Sequence, residues 1–140
     1  IELEIDSRSA NLVRPAIVDA SALNQDMLQQ LGELEWFGPL LVIQRVKDFD
    51  TALNCAADTP YGLAAGIWTA DVALGMRMAN RIEAGTVYIN NYFNAATQSP
   101  VGGFKQSGYG RENGIEGMRC FMQTKSVWLA TLPSQSHPFE

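Results

Sequence analysis

Apolar positions along this chain fall into runs of strand length separated by stretches with helical spacing. Leu12-Val13-Arg14-Pro15-Ala16-Ile17-Val18 has the make-up of a short strand. Pro15 has no N–H to give a ladder, which predicts an edge or bulged position for it. A polar helical turn is expected around Asp26 to Leu31. Pro39-Leu40-Leu41-Val42-Ile43-Gln44-Arg45-Val46 is a nearly continuous apolar run, the pattern of a central strand covered on both faces. Phe49, Ala52, Leu53 and Ala56 then recur at i, i+3, i+4 and i+7 behind Asp48. That spacing predicts an amphipathic helix capped by Asp48, running to about Ala57 and ended by Thr59-Pro60.

Leu63 to Trp68 is the next expected strand. Val72, Met76, Ala79 and Ile82 mark a helix that begins near Asp71 and is closed by Gly85 as a C-cap glycine. Thr86-Val87-Tyr88-Ile89-Asn90 is a strand of β-branched and aromatic residues. It leads into a long connection, Asn91 to Arg111, rich in glycine and proline and of a length that is usually functional or disordered. Ile115, Met118 and Met122 mark a last helix, and Ser126 to Leu129 a last strand. The tail from Pro133 to Glu140 is expected to be mobile. This alternation predicts the α/β class, with a mostly parallel layered sheet and flanking helices.

Composition narrows what such a chain does. Its 140 residues, 46% hydrophobic and 18% charged, fit a soluble globular unit. A unit of that size buries about 68–70% of its unfolded surface, enough for one core but not for a cofactor domain plus a substrate domain. A two-domain active site is therefore expected to be shared with another chain. Net charge is −5, and the ten basic residues are scattered, which argues against nucleic acid as a partner. No apolar run approaches the ~18 residues of a membrane span. Ile1-Glu2-Leu3-Glu4-Ile5-Asp6 lacks the basic and apolar regions of a signal peptide, so the expected location is cytoplasmic. A start at Ile rather than Met suggests a processed, truncated or incompletely described chain.

Cys55 and Cys120 show no C-x-x-C spacing and no neighbouring histidines, so neither a metal site nor a disulfide framework is signalled. Lying among apolar helix positions, both are expected to be buried, inert thiols. His137 stands alone in the tail and receives no role. Gly103-Phe104-Lys105-Gln106-Ser107-Gly108 lacks the order of a phosphate loop, in which lysine directly follows the second glycine. Gly108-Tyr109-Gly110-Arg111-Glu112-Asn113 fails as a dinucleotide fingerprint, because no strand leads directly into it and Asn113 holds the third-glycine position. Their glycines are expected to shape a loop that walls a site. Asn90, ending a strand, is expected to tie down neighbouring backbone through its short amide. Glu35, just before an aromatic pair and a Gly-Pro turn, is expected to face a ligand; the alternative is a solvated carboxylate ahead of a packed aromatic.

Four blocks in order carry a resemblance: Glu35-Trp36-Phe37-Gly38-Pro39, Tyr61-Gly62-Leu63-Ala64-Ala65-Gly66, Ala84-Gly85-Thr86-Val87-Tyr88-Ile89-Asn90, and Gly102-Gly103-Phe104-Lys105-Gln106-Ser107-Gly108-Tyr109-Gly110-Arg111-Glu112. From Asn11 to Leu129 the chain resembles the C-terminal part of an aldehyde dehydrogenase subunit. The resemblance implies that residues 1–124 are the latter part of a catalytic domain and 125–140 a terminal oligomerisation strand and tail. It implies an NAD- or NADP-dependent oxidation of an aldehyde to a carboxylic acid by a homo-oligomer. Glu35 would accept hydrogen bonds from the nicotinamide-side ribose diol, for which an acceptor-only carboxylate with two oxygens is suited. Phe37 would pack near the nicotinamide ring. Leu34 stands where the family usually has a second acidic residue, which alters the surroundings of that clamp.

Tyr92, Phe93, Asn94, Ala95, Gln98 and Val101 occupy the stretch that resembles the family's substrate-tunnel wall. The family often has aromatics at the positions of Ala95 and Val101, so a wider or less aromatic tunnel mouth is implied, while Tyr92 and Phe93 offer ring faces to a cation; the alternative is that Tyr92 and Phe93 are core packing. Betaine- and aminoaldehyde-oxidising members look most similar, and succinylglutamate semialdehyde oxidation is the rival. The family's cysteine nucleophile, general base and dinucleotide-binding domain lie upstream of the matching segment, and neither Cys55 nor Cys120 stands in the nucleophile's motif. No catalytic residue is assigned, and the chain alone is expected to be inactive without the N-terminal portion of the subunit. The non-enzymatic alternative is a self-associating α/β remnant with an exposed apolar face.

Overall fold

The computed structural model describes residues 12–131. The expectations for Ile1, for the tail Pro133 to Glu140 and for His137 lie outside them. Two β-α-β units and a short antiparallel pairing of distant segments carry the strands of the described residues. In the first unit, β1 (Ala16–Asp19) and β2 (Leu40–Ile43) pair in parallel, with Ala16 opposite Leu40, and α1 (Gln25–Glu33) makes the crossover. In the second, β4 (Ala64–Ile67) and β5 (Thr86–Ile89) pair in parallel across α3 (Val72–Ala79). Between them lie α2 (Phe49–Ala57) and β3 (Tyr61–Gly62). The latter pairs antiparallel with β6 (Phe104–Lys105), ahead of α4 (Gly114–Arg119). Two of the three pairings are parallel, in keeping with the α/β class.

Side-chain caps start three helices. Asn24, Asp48 and Asp71 accept the N–H of Met27, Thr51 and Leu74 at 2.9, 2.8 and 2.9 Å. Each satisfies one of the donors that a helix N-terminus leaves unpaired. The caps at Asp48 and near Asp71 follow the expected pattern; the one at Asn24 belongs to a longer helix than the single turn expected there.

Several expectations are corrected. The strand foreseen over Leu12 to Val18 begins only after Pro15, at Ala16. The apolar run Pro39 to Val46 is not a strand covered on both faces. Among the described residues β2 pairs only with β1, and Leu41 is 56% exposed. Its continuous hydrophobicity records a demand for burial that the described residues do not meet. Asn80, not Gly85, caps α3, and its N–H returns to Met76 and Met78 carbonyls. The last helix stops at Arg119 and tightens into i→i−3 bonds, Phe121 N to Met118 O and Met122 N to Arg119 O at 3.0 and 3.1 Å. Ser126 to Leu129 forms no strand, because no described strand lies beside it to supply a ladder, and Trp128 is 93% exposed. Cys55 is half-buried and Cys120, at the end of α4, is exposed, since no described element covers it.

The apolar interior is small. Ala20, Leu53 and Ile67 are its buried hydrophobic members among the described residues. The helix α3 lies close on β5 because Gly75 faces Ile89 and Thr69, where an added Cβ would meet methyl carbons at 3.2 and 3.1 Å. No described helix is long and apolar enough to cross a membrane.

Candidate functional site

The carboxyl ends of the parallel strands are where open α/β sheets place ligands, and the sequence-predicted residues fall into two groups relative to them. Glu35 and Phe37 lie between α1 and β2, on a turn tightened by Gly38 N to Trp36 O at 2.9 Å and Leu40 N to Gly38 O at 2.8 Å. Both are exposed, Phe37 at 94%. The Glu35 carboxylate carries no side-chain hydrogen bond or ion pair to a described residue. A carboxylate with no described side-chain partner and an exposed ring on one turn suit a vicinal diol and a flat heteroaromatic ring. Phe37 is not packed against the described residues.

The second group stands beyond β4 and β5. Tyr92 has its ring centroid 5.2 Å from Tyr88, 6.1 Å from Trp68 and 6.2 Å from Phe93. Gly66 makes room for it, since a Cβ there would come within 2.5 Å of the Trp68 ring and 2.9 Å of the Tyr92 ring. Trp68 and Tyr88 were not picked out from sequence. The signal was available in strand alternation, because Gly66 and Trp68 share a face two residues apart and Tyr88 is the register partner of Gly66. Ala95, Asn94 and Gln98 are exposed beside this cluster in sequence, while Val101 is half-buried in a bridge to Glu112. No described ring contact joins Phe37 to this cluster.

The glycine-rich connection is a built loop rather than a loose one. Its ends are closed by Val101 N to Glu112 O at 2.8 Å and Glu112 N to Val101 O at 2.7 Å. Arg111 Nη1 donates to the carbonyls of Gly103 and Gly110 at 3.1 and 2.6 Å, with its guanidinium 5.2 Å above the Phe104 ring. The Ser107 hydroxyl accepts the Gly62 N–H at 3.0 Å. Lys105 spends its ammonium on the Ala57 and Thr59 carbonyls at 2.9 and 3.2 Å and on Glu83 at 3.0 Å, pinning the loop to the C-terminus of α2. A cleft of about 840 Å³ opens along Val101, Gly103, Ser107, Arg111, Cys120 and Phe121. It reaches Val101, in the segment expected to wall a tunnel, and does not include Glu35 or Phe37. Gly102, Gly103, Gly108 and Gly110 line this cleft. Among the described residues no cluster of three or more metal-ligating side chains occurs.

Comparison with known proteins follows the same outline. A model of the aldehyde dehydrogenase family matches residues 2–127. The NADP/NAD-dependent aldehyde dehydrogenase PuuC of Escherichia coli is 37% identical over 129 residues, 92% of this chain and 26% of that protein. The betaine aldehyde dehydrogenase of Brucella anthropi is 45% identical over 95 residues, 68% of this chain and 20% of that protein. A variant of the P. syringae indole-3-acetaldehyde dehydrogenase AldA, in complex with NAD+ and IAA, superposes with a TM-score of 0.79 at 35% identity, covering 89% of this chain and 25% of that one. A Staphylococcus aureus betaine aldehyde dehydrogenase variant in complex with NAD+ gives 0.80 at 32% identity, over 91% of this chain and 25% of that one. The chain thus spans about a quarter of the length of these relatives, and with its family model matched from residue 2 to residue 127 it belongs to the aldehyde dehydrogenase family.

Proposed function

We propose that this chain is the C-terminal segment of an NAD(P)-dependent aldehyde dehydrogenase subunit that oxidises an aldehyde to a carboxylic acid and works as a homo-oligomer. The superposition of most of the chain on solved dehydrogenases that hold NAD+ is the observation that carries this reading. Glu35 holds the ribose diol and Phe37 borders the nicotinamide, a fit supported by the free carboxylate and open ring face on their shared turn. The bound dinucleotide supplies the two-electron acceptor for the oxidation. Tyr92, Phe93, Ala95 and Val101 wall the aldehyde's path. Betaine aldehyde and aminoaldehydes are the favoured substrates, in line with the name of one relative. Nucleophile and general base come from the portion of the subunit that precedes this segment.

The test is aldehyde-dependent formation of NADH or NADPH by the complete subunit, with Glu35→Ala beside it. A carboxylate lost from a charged hydrogen-bonding position removes roughly 1.5–3 kcal/mol, so cofactor handling should weaken about ten- to a hundred-fold. Unchanged cofactor affinity and turnover in that variant would remove Glu35 from the site. A second reading, a non-enzymatic fragment that self-associates, is favoured by the many exposed apolar side chains. It predicts that no aldehyde supports turnover even when the rest of the subunit is supplied.

A further inference from the structure

The backbone leaves β5 in an unusual way. Asn90 has φ 54°, in the left-handed region, and its N–H still donates to Ile67 O at 2.7 Å, the last rung of the β4–β5 ladder. Its side chain then does what the next peptide would have done. Oδ1 accepts the Thr69 N–H at 2.8 Å, and Nδ2 donates to the Thr69 carbonyl at 2.8 Å. With both ladder groups of Thr69 satisfied by the amide, the main chain is released from the sheet directly after Ile89. Asparagine is suited to this, since its short side chain tolerates the left-handed region and carries one donor and one acceptor in a plane.

Three residues later the chain takes a second left-handed step. Phe93 has φ 64° with its ring 88% exposed. A bulky residue rarely holds that conformation, and such outliers concentrate where a site imposes them. Tyr92 between them turns back onto Tyr88 and Trp68. Tyr92 and the left-handed Phe93 therefore lie just beyond the carboxyl end of β5, which runs parallel to β4, in the segment that follows Asn90.

We propose that Asn90 is a positioning residue for substrate selection: its amide clamp on Thr69 aims the Tyr92–Phe93 segment at the aldehyde. This rests on the reading of that segment as the tunnel wall. Asn90 itself touches no reacting atom. Loss of the clamp should alter how well a bulky aldehyde is held more than it alters the chemical step.

The experiment uses the complete subunit, wild type and Asn90→Gly, with acetaldehyde, hexanal and phenylacetaldehyde as probes and cofactor affinity measured alongside. Glycine accepts the left-handed backbone and lacks the amide, so it isolates the clamp. The expected result is a rise of about fivefold or more in KM for the two larger aldehydes, with kcat, cofactor affinity and the acetaldehyde KM each within about twofold. Asn90→Asp keeps the acceptor toward the Thr69 N–H and loses the donor, and should fall between the two. A uniform fall in kcat at unchanged KM, or no change at all, would overturn the proposal. Failure of both variants to fold would assign Asn90 to stability alone and overturn it as well. A wild-type subunit that oxidises none of the probes nor betaine aldehyde overturns the dehydrogenase reading first, and this proposal with it.

Discussion

Asp48 closes the first turn of α2 by accepting the Thr51 N–H at 2.8 Å, and its carboxyl is held below the usual carboxylate range by the Thr51 hydroxyl first and that N–H second. Asp19 is lowered in the same direction, by the hydroxyl and N–H of Ser21 and then by Arg45. A carboxyl whose folded pKa lies below its unfolded value of 3.8 contributes stability that is present above that value and is lost as pH falls through the folded pKa. Asp48→Asn keeps an acceptor oxygen for the cap but does not titrate. Its unfolding midpoint should lie close to wild type near neutral pH and fall less steeply below about pH 4, because one contributor to the acid limb has been removed. Midpoints of urea unfolding followed from pH 7 downward test this. An acid limb as steep as that of the wild type would show that the cap is not linked to proton uptake. Both carboxylates sit in solvent, so the change is small against the whole limb.

At the level of elements, the start of β5 depends on a contact between two backbones. Gly85 donates to Gly62 O at 3.0 Å, and a Cβ on it would come to rest 1.6 Å from the Gly102 carbonyl oxygen. Neither side of that contact is a flexible side chain, so Gly85→Ala has to move the glycine-rich loop or β5 itself. The expected cost is about 3 kcal/mol, at the upper end for overpacking, measured as a fall in the unfolding midpoint. A variant within about 0.5 kcal/mol of wild type would show that the loop yields freely. The same glycine shows where the sequence was legible and where it was not. Local signals were readable: Asp48 ahead of a helical repeat, the β-branched run of β5, the alternation that became two β-α-β units. Gly85 was misread as a helix cap because its reason for being glycine lies seventeen residues away, at Gly102, and spacing within a window cannot show it. The apolar run of β2 called for burial, but what covers it is not encoded in its own residues. The aromatic group at Tyr92 was half legible, since Tyr92 and Phe93 stood out while Trp68 and Tyr88 joined them only through strand register.

At the scale of the whole molecule, the described residues include three buried apolar residues set against many exposed ones, which leaves much apolar surface uncovered among them. Ile17 and Leu41 on the first sheet, Ile115 and Met118 on α4, and Val127 and Trp128 after it are all more than half exposed. A core residue in an ordinary domain touches 6–12 others, and large contiguous apolar patches are rare on monomers. This chain spans about a quarter of the length of its relatives; under the function proposed above, the remainder of a subunit or a second copy covers these faces. Produced alone, it should therefore bind a hydrophobic dye such as ANS strongly and appear in a native mass spectrum as multiples of 15.3 kDa or as aggregate. Co-expression with the preceding part of the subunit should give a stoichiometric complex with the dye signal gone, because the same surface is then buried once and specifically. A soluble, dye-silent monomer that unfolds cooperatively would mean that the exposed apolar faces are tolerated without a cover. The dependence of this fold on the rest of a dehydrogenase subunit would then fall, and the non-enzymatic reading would gain the ground it loses if the complex forms.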